Sequence, residues 1–246
     1  MAISSIINKI ILEIRAGAGG DEAAIFAGDL ARMYQKYSAK RGWKFNVLDF
    51  NQTTLEGYKN FTAEIEGENI YNDLKQESGV HRIQRVPKTE KAGRVHTSTA
   101  SVAIMPEVKP EEVQINQGDL EISFFRVSGP GGQNVNKVET GVKLVHKPTG
   151  TIVSCTAGRS QFANREGAMN MLRSRIYEEQ QIKEQAKLGA LRKEQIGTAD
   201  RSEKIRTYNF PDDRITDHRF NVKVHNIEKV LDGDLDMILK KIHNPK

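Results

Sequence analysis

Two hydrophobic periods alternate along this chain, and the switches between them outline its elements. Residues 9–15 alternate in a way that suits a strand. The glycine-rich turn from Gly17 to Gly20 then leads into Asp21-Glu22-Ala23-Ala24, after which Ile25, Phe26, Leu30, Met33 and Tyr37 recur at helical spacing. The two acids fall in the first turn, where the positive end of a helix dipole favours them. Short strands are expected at residues 44–49, 61–66 and 99–105, which together predict an α+β domain. Pro106 and Pro110, set among mixed charges, place a domain boundary nearby. Beyond it, strands are predicted at 120–126, 141–146 and 151–156, with Pro148-Thr149-Gly150 turning into the third. A long helix follows over about 164–194. Its apolar positions Met169, Leu172, Ile176, Ile182, Leu188 and Leu191 keep an approximate helical period, while Arg173, Arg175, Lys183, Lys187 and Lys193 occupy other faces. Residues 197–202 break this helix, and the remainder reads as short strands and helices.

Composition changes this picture little. A chain of 246 residues, 37% hydrophobic and 28% charged, is ordinary for a globular protein and long enough for two modest cores. The net charge of +5 favours an anionic partner, and its distribution is more telling. Between Val80 and His96 stand Arg82, Arg85, Lys88, Lys91 and Arg94 against the single acid Glu90, which suits either a phosphate backbone or a solvated loop. The only cysteine, Cys155, excludes an intramolecular disulfide and a Cys-pair zinc site, as expected in a reducing compartment, and reads as a buried strand residue. Residues 1–12 read as the approach to the first strand and not as a leader, and no stretch has the length needed to span a bilayer.

The most informative chemistry lies in Ser128-Gly129-Pro130-Gly131-Gly132-Gln133, followed by Asn134-Val135-Asn136-Lys137. Two glycines permit almost any backbone shape and a close approach to a partner, while Pro130 limits the loop's freedom. Such a cluster is either a hairpin turn or a loop built to reach into a crowded site. The amides and cation that follow favour the second. His81, His96, His146, His218, His225 and His243 stand in no nucleophile or metal motif, so neither a metal nor another cofactor is expected. Gln133 cannot act as a general base at neutral pH, which leaves it a positioning or stabilising role.

The whole block resembles the Gly-Gly-Gln loop of class 1 peptide chain release factors, which enter the ribosome at a stop codon and trigger hydrolysis of peptidyl-tRNA. Three further segments match the family in its own order: Glu13-Ile14-Arg15-Ala16-Gly17-Ala18-Gly19-Gly20-Asp21-Glu22, Gly79-Val80-His81-Arg82-Ile83-Gln84-Arg85-Val86-Pro87 and Arg206-Thr207-Tyr208-Asn209-Phe210-Pro211. The resemblance implies an α+β, two-domain fold. Residues 1–108 and 208–246 would form a discontinuous codon-recognition domain. Residues 109–207 would form the inserted domain of a β-sheet, a long helix and the Gly-Gly-Gln loop, with a switch segment over 187–197 and a hinge between the domains. It also implies action with the ribosome and its RNA, the mRNA stop codon and peptidyl-tRNA, not as a self-sufficient enzyme. The setting would be the cytoplasm or an organelle matrix, with the protein a monomer and no membrane partner.

The same resemblance assigns residues. Pro87-Lys88-Thr89 matches the Pro-x-Thr tripeptide of factors that accept UAA and UAG and reject UGA. The hydroxyl of Thr89 both donates and accepts, as reading the edges of unpaired bases requires. His96, followed by Thr97, would lie between the second and third bases, and Gln84 would tolerate either purine at the third. Gly19 and Glu22 match the helix start that reads the first uracil, although Glu22 suits a plain helix-start acid equally well. Gly131, Gly132 and Gln133 would act at the ester, and Gln133 would be N5-methylated by a dedicated glutamine methyltransferase. Family members carry a helical domain of roughly a hundred residues before the Glu-Ile-Arg-Ala-Gly segment, which here begins at Glu13, so that domain is expected to be missing, and dependence on the recycling GTPase does not follow from the resemblance. Pro130 stands where alanine is usual and Asn134 where histidine is usual. Both occur in stalled-ribosome rescue factors, which supply the alternative reading, and a purely RNA-binding protein is a third.

Overall fold

The computed structural model describes residues 7–87, 90, 92–107, 115–127, 138–197 and 200–243. In chain order the strands are β1 (Lys9–Ala16), β2 (Lys44–Gln52), β3 (Tyr58–Glu66), β4 (Gly79–Arg85), β5 (His96–Pro106), β6 (Leu120–Phe125), β7 (Gly141–His146), β8 (Thr151–Cys155), β9 (Lys204–Asn209), β10 (Arg214–Asp217) and β11 (Val222–His225). The helices are α1 (Asp21–Arg41), α2 (Ile70–Leu74), α3 (Gln161–Ile196), α4 (Ile227–Leu231) and α5 (Asp236–His243). By contact the chain divides into two units, Met1–Val108 with Leu188–Lys246, and Lys109–Lys187.

The first unit is built on an eight-stranded sheet of order β11-β10-β9-β4-β5-β1-β3-β2. Alternation along β1 turns Ile10, Leu12 and Ile14 to one face, in register with Ile65, Ala63 and Phe61 of β3, while Leu12 and Ile14 also oppose Ile104 and Val102 of β5. Phe26, Leu30, Met33, Tyr34 and Tyr37 of α1 close over this face, and Ile83, Tyr208, Ile215 and Val224 extend the same core into the later strands. α1 ends at Gly42, which takes the left-handed conformation (φ 70°) and returns its N–H to the last turn. Among the described residues every strand pair is antiparallel except β4 with β9, where the chain re-enters the sheet after the second unit.

That re-entry is fixed by a buried polar cluster. The register sets His81, Arg206 and Asp217 side by side across β4, β9 and β10. Arg206, fully buried, donates from both terminal nitrogens to the carboxylate of Glu77 at 2.7 Å each, and one of them also reaches Asp217 at 3.2 Å. Tyr34 donates its hydroxyl to Glu77 at 3.0 Å, and His81 Nε2 lies 2.9 Å from the Glu77 carbonyl. Burial disfavours the Glu77 carboxylate, but the Arg206 guanidinium outweighs it and holds the carboxyl below its ordinary range. Burial and then the Arg206 charge bring the His81 imidazole down to about 4.

The second unit is a three-stranded antiparallel sheet, β6-β7-β8, crossed by α3. Val142, Leu144 and Val153 of the sheet meet Ala168, Leu172 and Ile176 of the helix. Strands of five or six residues are roughly 20 Å long and cover about 13 helical residues, whereas α3 runs for 36. The apolar stripe therefore outlasts its partner. Ile182, read as a core position, is 67% exposed. Cys155, expected to be buried, is half-buried, with its thiol 3.6 Å from Asn164 Oδ1. The last turns of α3 bind the first unit: Arg192 reaches Glu13, and the Gln195 amide bonds both the N–H and the carbonyl of Ile104, at 3.1 and 3.0 Å. By contact the second unit accordingly closes at Lys187, where the sequence reading carried it to residue 207. Among the described residues no helix is long and apolar enough to cross a membrane.

Candidate functional site

Gly19, Glu22, Gln84, Pro87, His96 and Thr97 all fall at one end of the large sheet, where β4 finishes, β5 starts and the turn before α1 passes over. The turn is clipped to β5: Gly17 N–H donates to the Thr99 carbonyl at 2.8 Å, Thr99 N–H to the Ala18 carbonyl at 2.9 Å, and Ala18 N–H to Thr99 Oγ1 at 2.9 Å. Gly19 then lies directly on Ser98. Its φ is +132°, and a Cβ there would sit 3.1 Å from Ser98 Cα and nearer still to its side chain. Only glycine combines that backbone with that clearance.

Strand alternation divides the remaining residues between two faces. Gln84 opposes Thr97 on β5 and Asn209 on β9, on the face turned away from α1. Arg85 opposes His96 on the α1 side. Arg85 donates its Nε to Glu22 and its Nη1 to Asp29 at 2.8 Å, and its guanidinium lies over the Phe210 ring at 5.5 Å. Glu22 is thus more than a helix-start acid, for it is 4% exposed and its second oxygen, Oε2, finds no partner among the described residues, nor does Arg85 Nη2. His96 has a half-exposed ring whose Nε2 lies 2.8 Å from the carboxylate of Glu90. That carboxylate also accepts from Ala92 N–H at 2.7 Å, and the Glu90 N–H donates to the carbonyl of the buried Pro87.

Sequence reasoning missed the parts played by Arg85 and Glu90. Arg85 was counted with a basic run that the structure partly dissolves, since Arg85 is in ion pairs and Arg82 is half-buried, with burial lowering its pKa. A lone acid between cations, six residues before a histidine, was the available signal for Glu90. Lys88, Thr89 and Lys91 lie outside the described residues.

In the second unit, Gly131, Gly132 and Gln133 also lie outside the described residues, as do Pro130 and Asn134. The stem that carries them is described. β6 and β7 pair up to Phe125 opposite Gly141, where a Cβ on the glycine would meet the Phe125 ring at 2.8 Å. Beyond the ladder Arg126 and Glu139 approach to 3.8 Å across the neck. The start of α3 supports the downstream side: Gln161 Nε2 donates to the Glu139 carbonyl at 3.1 Å and Asn164 Nδ2 to the Thr140 carbonyl at 2.8 Å. Among the described residues no group of His, Cys, Asp and Glu could hold a metal ion.

Similarity to known proteins covers both units. The PCRF domain matches residues 7–102 and the RF-1 domain residues 107–219. Peptide chain release factor 1 of Caldicellulosiruptor saccharolyticus is 54% identical over 231 residues, 94% of this chain and 65% of the relative. That of Thermotoga maritima is 50% identical over 235 residues, 96% of this chain and 69% of the relative. Among solved structures, RF2 of Thermus thermophilus matches with a TM-score of 0.57 and 38% identity, over 96% of this chain and 68% of that one. The chain spans about 65% of the length of the first of these relatives. With half or more of its residues identical to such relatives along nearly its whole length, this chain belongs to the peptide chain release factor family.

Proposed function

We propose that this chain reads UAA and UAG in the ribosomal A site and triggers hydrolysis of the peptidyl-tRNA ester at the peptidyl transferase centre. The observation that carries the proposal is its 54% identity, over 94% of its length, to a relative named Peptide chain release factor 1. The geometry of the sheet end supports it. Glu22, buried beside the turn at Gly19 and held by Arg85, fixes the helix start that meets the first-position base. Gln84 and Thr97, adjacent across two strands, offer amide and hydroxyl edges, and the imidazole of His96, braced by Glu90, can stack on a splayed base. Pro87-Lys88-Thr89 supplies the discriminating hydroxyl.

At the other site, water attacks the ester carbonyl carbon, the bond to the terminal tRNA ribose oxygen breaks, and that oxygen takes a proton while the peptide leaves as a carboxylic acid. The backbone N–H of Gln133 donates to the oxygen on which charge develops, and Gly131 and Gly132 give the backbone its approach. The Gln133 side chain admits water and excludes larger nucleophiles. Ribosomal and transfer RNA complete the site, so the chain has no hydrolase activity alone. Its setting is the cytoplasm or an organelle matrix, and a glutamine methyltransferase acts on Gln133.

The test is release of labelled peptide from ribosomes stalled on UAA. Gln133→Pro, which removes the donor, is expected to lose about 10²–10³-fold in rate, and Gln133→Ala is also expected to lose release, both with ribosome binding kept. Unchanged release by both would contradict the proposal and leave only RNA binding. Pro130 and Asn134 favour a second reading, rescue of ribosomes that lack a stop codon, which a truncated message would reveal.

A further inference from the structure

The proposed hydrolytic loop is carried between β6 and β7, and one buried side chain holds its downstream foot. Asn164 has no exposed surface. Its Nδ2 donates to the carbonyl of Thr140, the residue before β7, at 2.8 Å and to that of Gly158 at 3.0 Å, while its Oδ1 accepts from Gly158 N–H at 2.6 Å. Both amide protons and the carbonyl are engaged, so the group cannot turn without leaving buried polar atoms unpaired. Capping α3 does not explain it. Ser160 already does that, accepting from Ala163 N–H through its hydroxyl at 3.2 Å and from Asn164 N–H through its carbonyl at 3.1 Å. The side chain of Asn164 instead ties the loop foot at Thr140 to the turn at Gly158, on the other side of the two strands β7 and β8.

We infer that Asn164 is a positioning residue for peptide release: by pinning the backbone at Thr140 it sets the register in which Gly131, Gly132 and Gln133 meet the ester. The inference rests on the termination reading above. Asn164→Asp keeps the shape and the acceptor but places an oxygen against the carbonyls of Thr140 and Gly158, and Asn164→Ser removes the reach with less strain. Displacement of a reacting group by about 1 Å can cost on the order of 10²-fold in rate.

Single-turnover release on UAA, measured against factor concentration, separates positioning from folding. Both variants are expected to lower the maximal rate by about 10- to 100-fold while the half-saturating concentration stays unchanged. A merely structural residue would do the reverse, lowering the active fraction and raising the half-saturating concentration at an unchanged maximal rate. That result, or maximal rates within about twofold of the parent, overturns the inference. Ser160→Ala, which weakens the cap alone, is expected to leave the maximal rate as it is. Amide exchange gives a second readout: in Asn164→Asp the amides of Val138 to Gly141 should exchange faster while those of β8 do not change, and unaltered exchange at Val138 to Gly141 would also overturn it. A parent chain without release would sink the termination reading instead, leaving the exchange result to decide the pin.

Discussion

At the scale of single residues, the glycine-rich turn before α1 was legible in the sequence because its backbone demand is local. Gly19 was singled out by the resemblance alone, and the structure adds a physical reason for glycine there in its φ of +132° against Ser98. Gly19→Ala should therefore disturb the turn over β5 and weaken codon-dependent release by about tenfold or more, since strain of about 1–3 kcal/mol must be relieved by moving the turn. Release kinetics on UAA beside a thermal melt check this, and an unchanged rate would contradict it. The role of Arg85 was not legible, because a charge on a sequence carries no sign of its partner. Glu22 lies 63 residues from Arg85, and only the fold brings them together. Glu90→Gln should loosen the His96 ring and slow release on UAA and UAG alike, with little change in stability, as expected where an exposed imidazole loses one partner.

At the scale of elements, strands and helices with a single apolar face were readable, and those whose partners change along their length were not. The 36 residues of α3 carry a nearly continuous apolar period, but the sheet beneath is short, so burial ends at Ile176. The two halves should respond differently to truncation. Leu172→Ala removes a side chain with no exposed surface and should cost about 2–5 kcal/mol, whereas Ile182→Ala, at a position 67% exposed, should stay within about 0.5 kcal/mol. Urea unfolding of the two variants decides this, and equal costs would show that Ile182 is packed. β4 went unread for a related reason. His81, Arg82 and Arg85 interrupt its apolar alternation, yet the fold buries His81 completely and pairs Arg85.

At the scale of the whole molecule, the return of the chain to the first sheet was implied by the order of the matched segments, but what fastens it was not. The fastening is Arg206, with Glu77, Asp217, His81 and Tyr34 about it. It couples stability to pH with a defined sign. The His81 imidazole titrates near 4 when folded, below its ordinary 6.5, so as pH falls the unfolded chain takes the proton first. Stability is then lost between about 6.5 and 4, to a limit of about 3 kcal/mol, and is fully present above 6.5. Unfolding free energies at pH 7 and 4.5 should differ accordingly, and His81→Gln should flatten the profile. A parent profile already flat over that window would contradict the burial of a neutral imidazole.

The measurement that tests the central claim most directly is peptide release from purified ribosomes holding labelled peptidyl-tRNA, programmed in parallel with UAA, UAG, UGA, a sense codon and a truncated message. Release on UAA and UAG alone is the predicted result, and it would assign codon reading to the sheet end that carries Glu22, Gln84, His96 and Thr97. Release chiefly on the truncated message would contradict it, moving the chain to ribosome rescue and leaving Pro87-Lys88-Thr89 without a reading role.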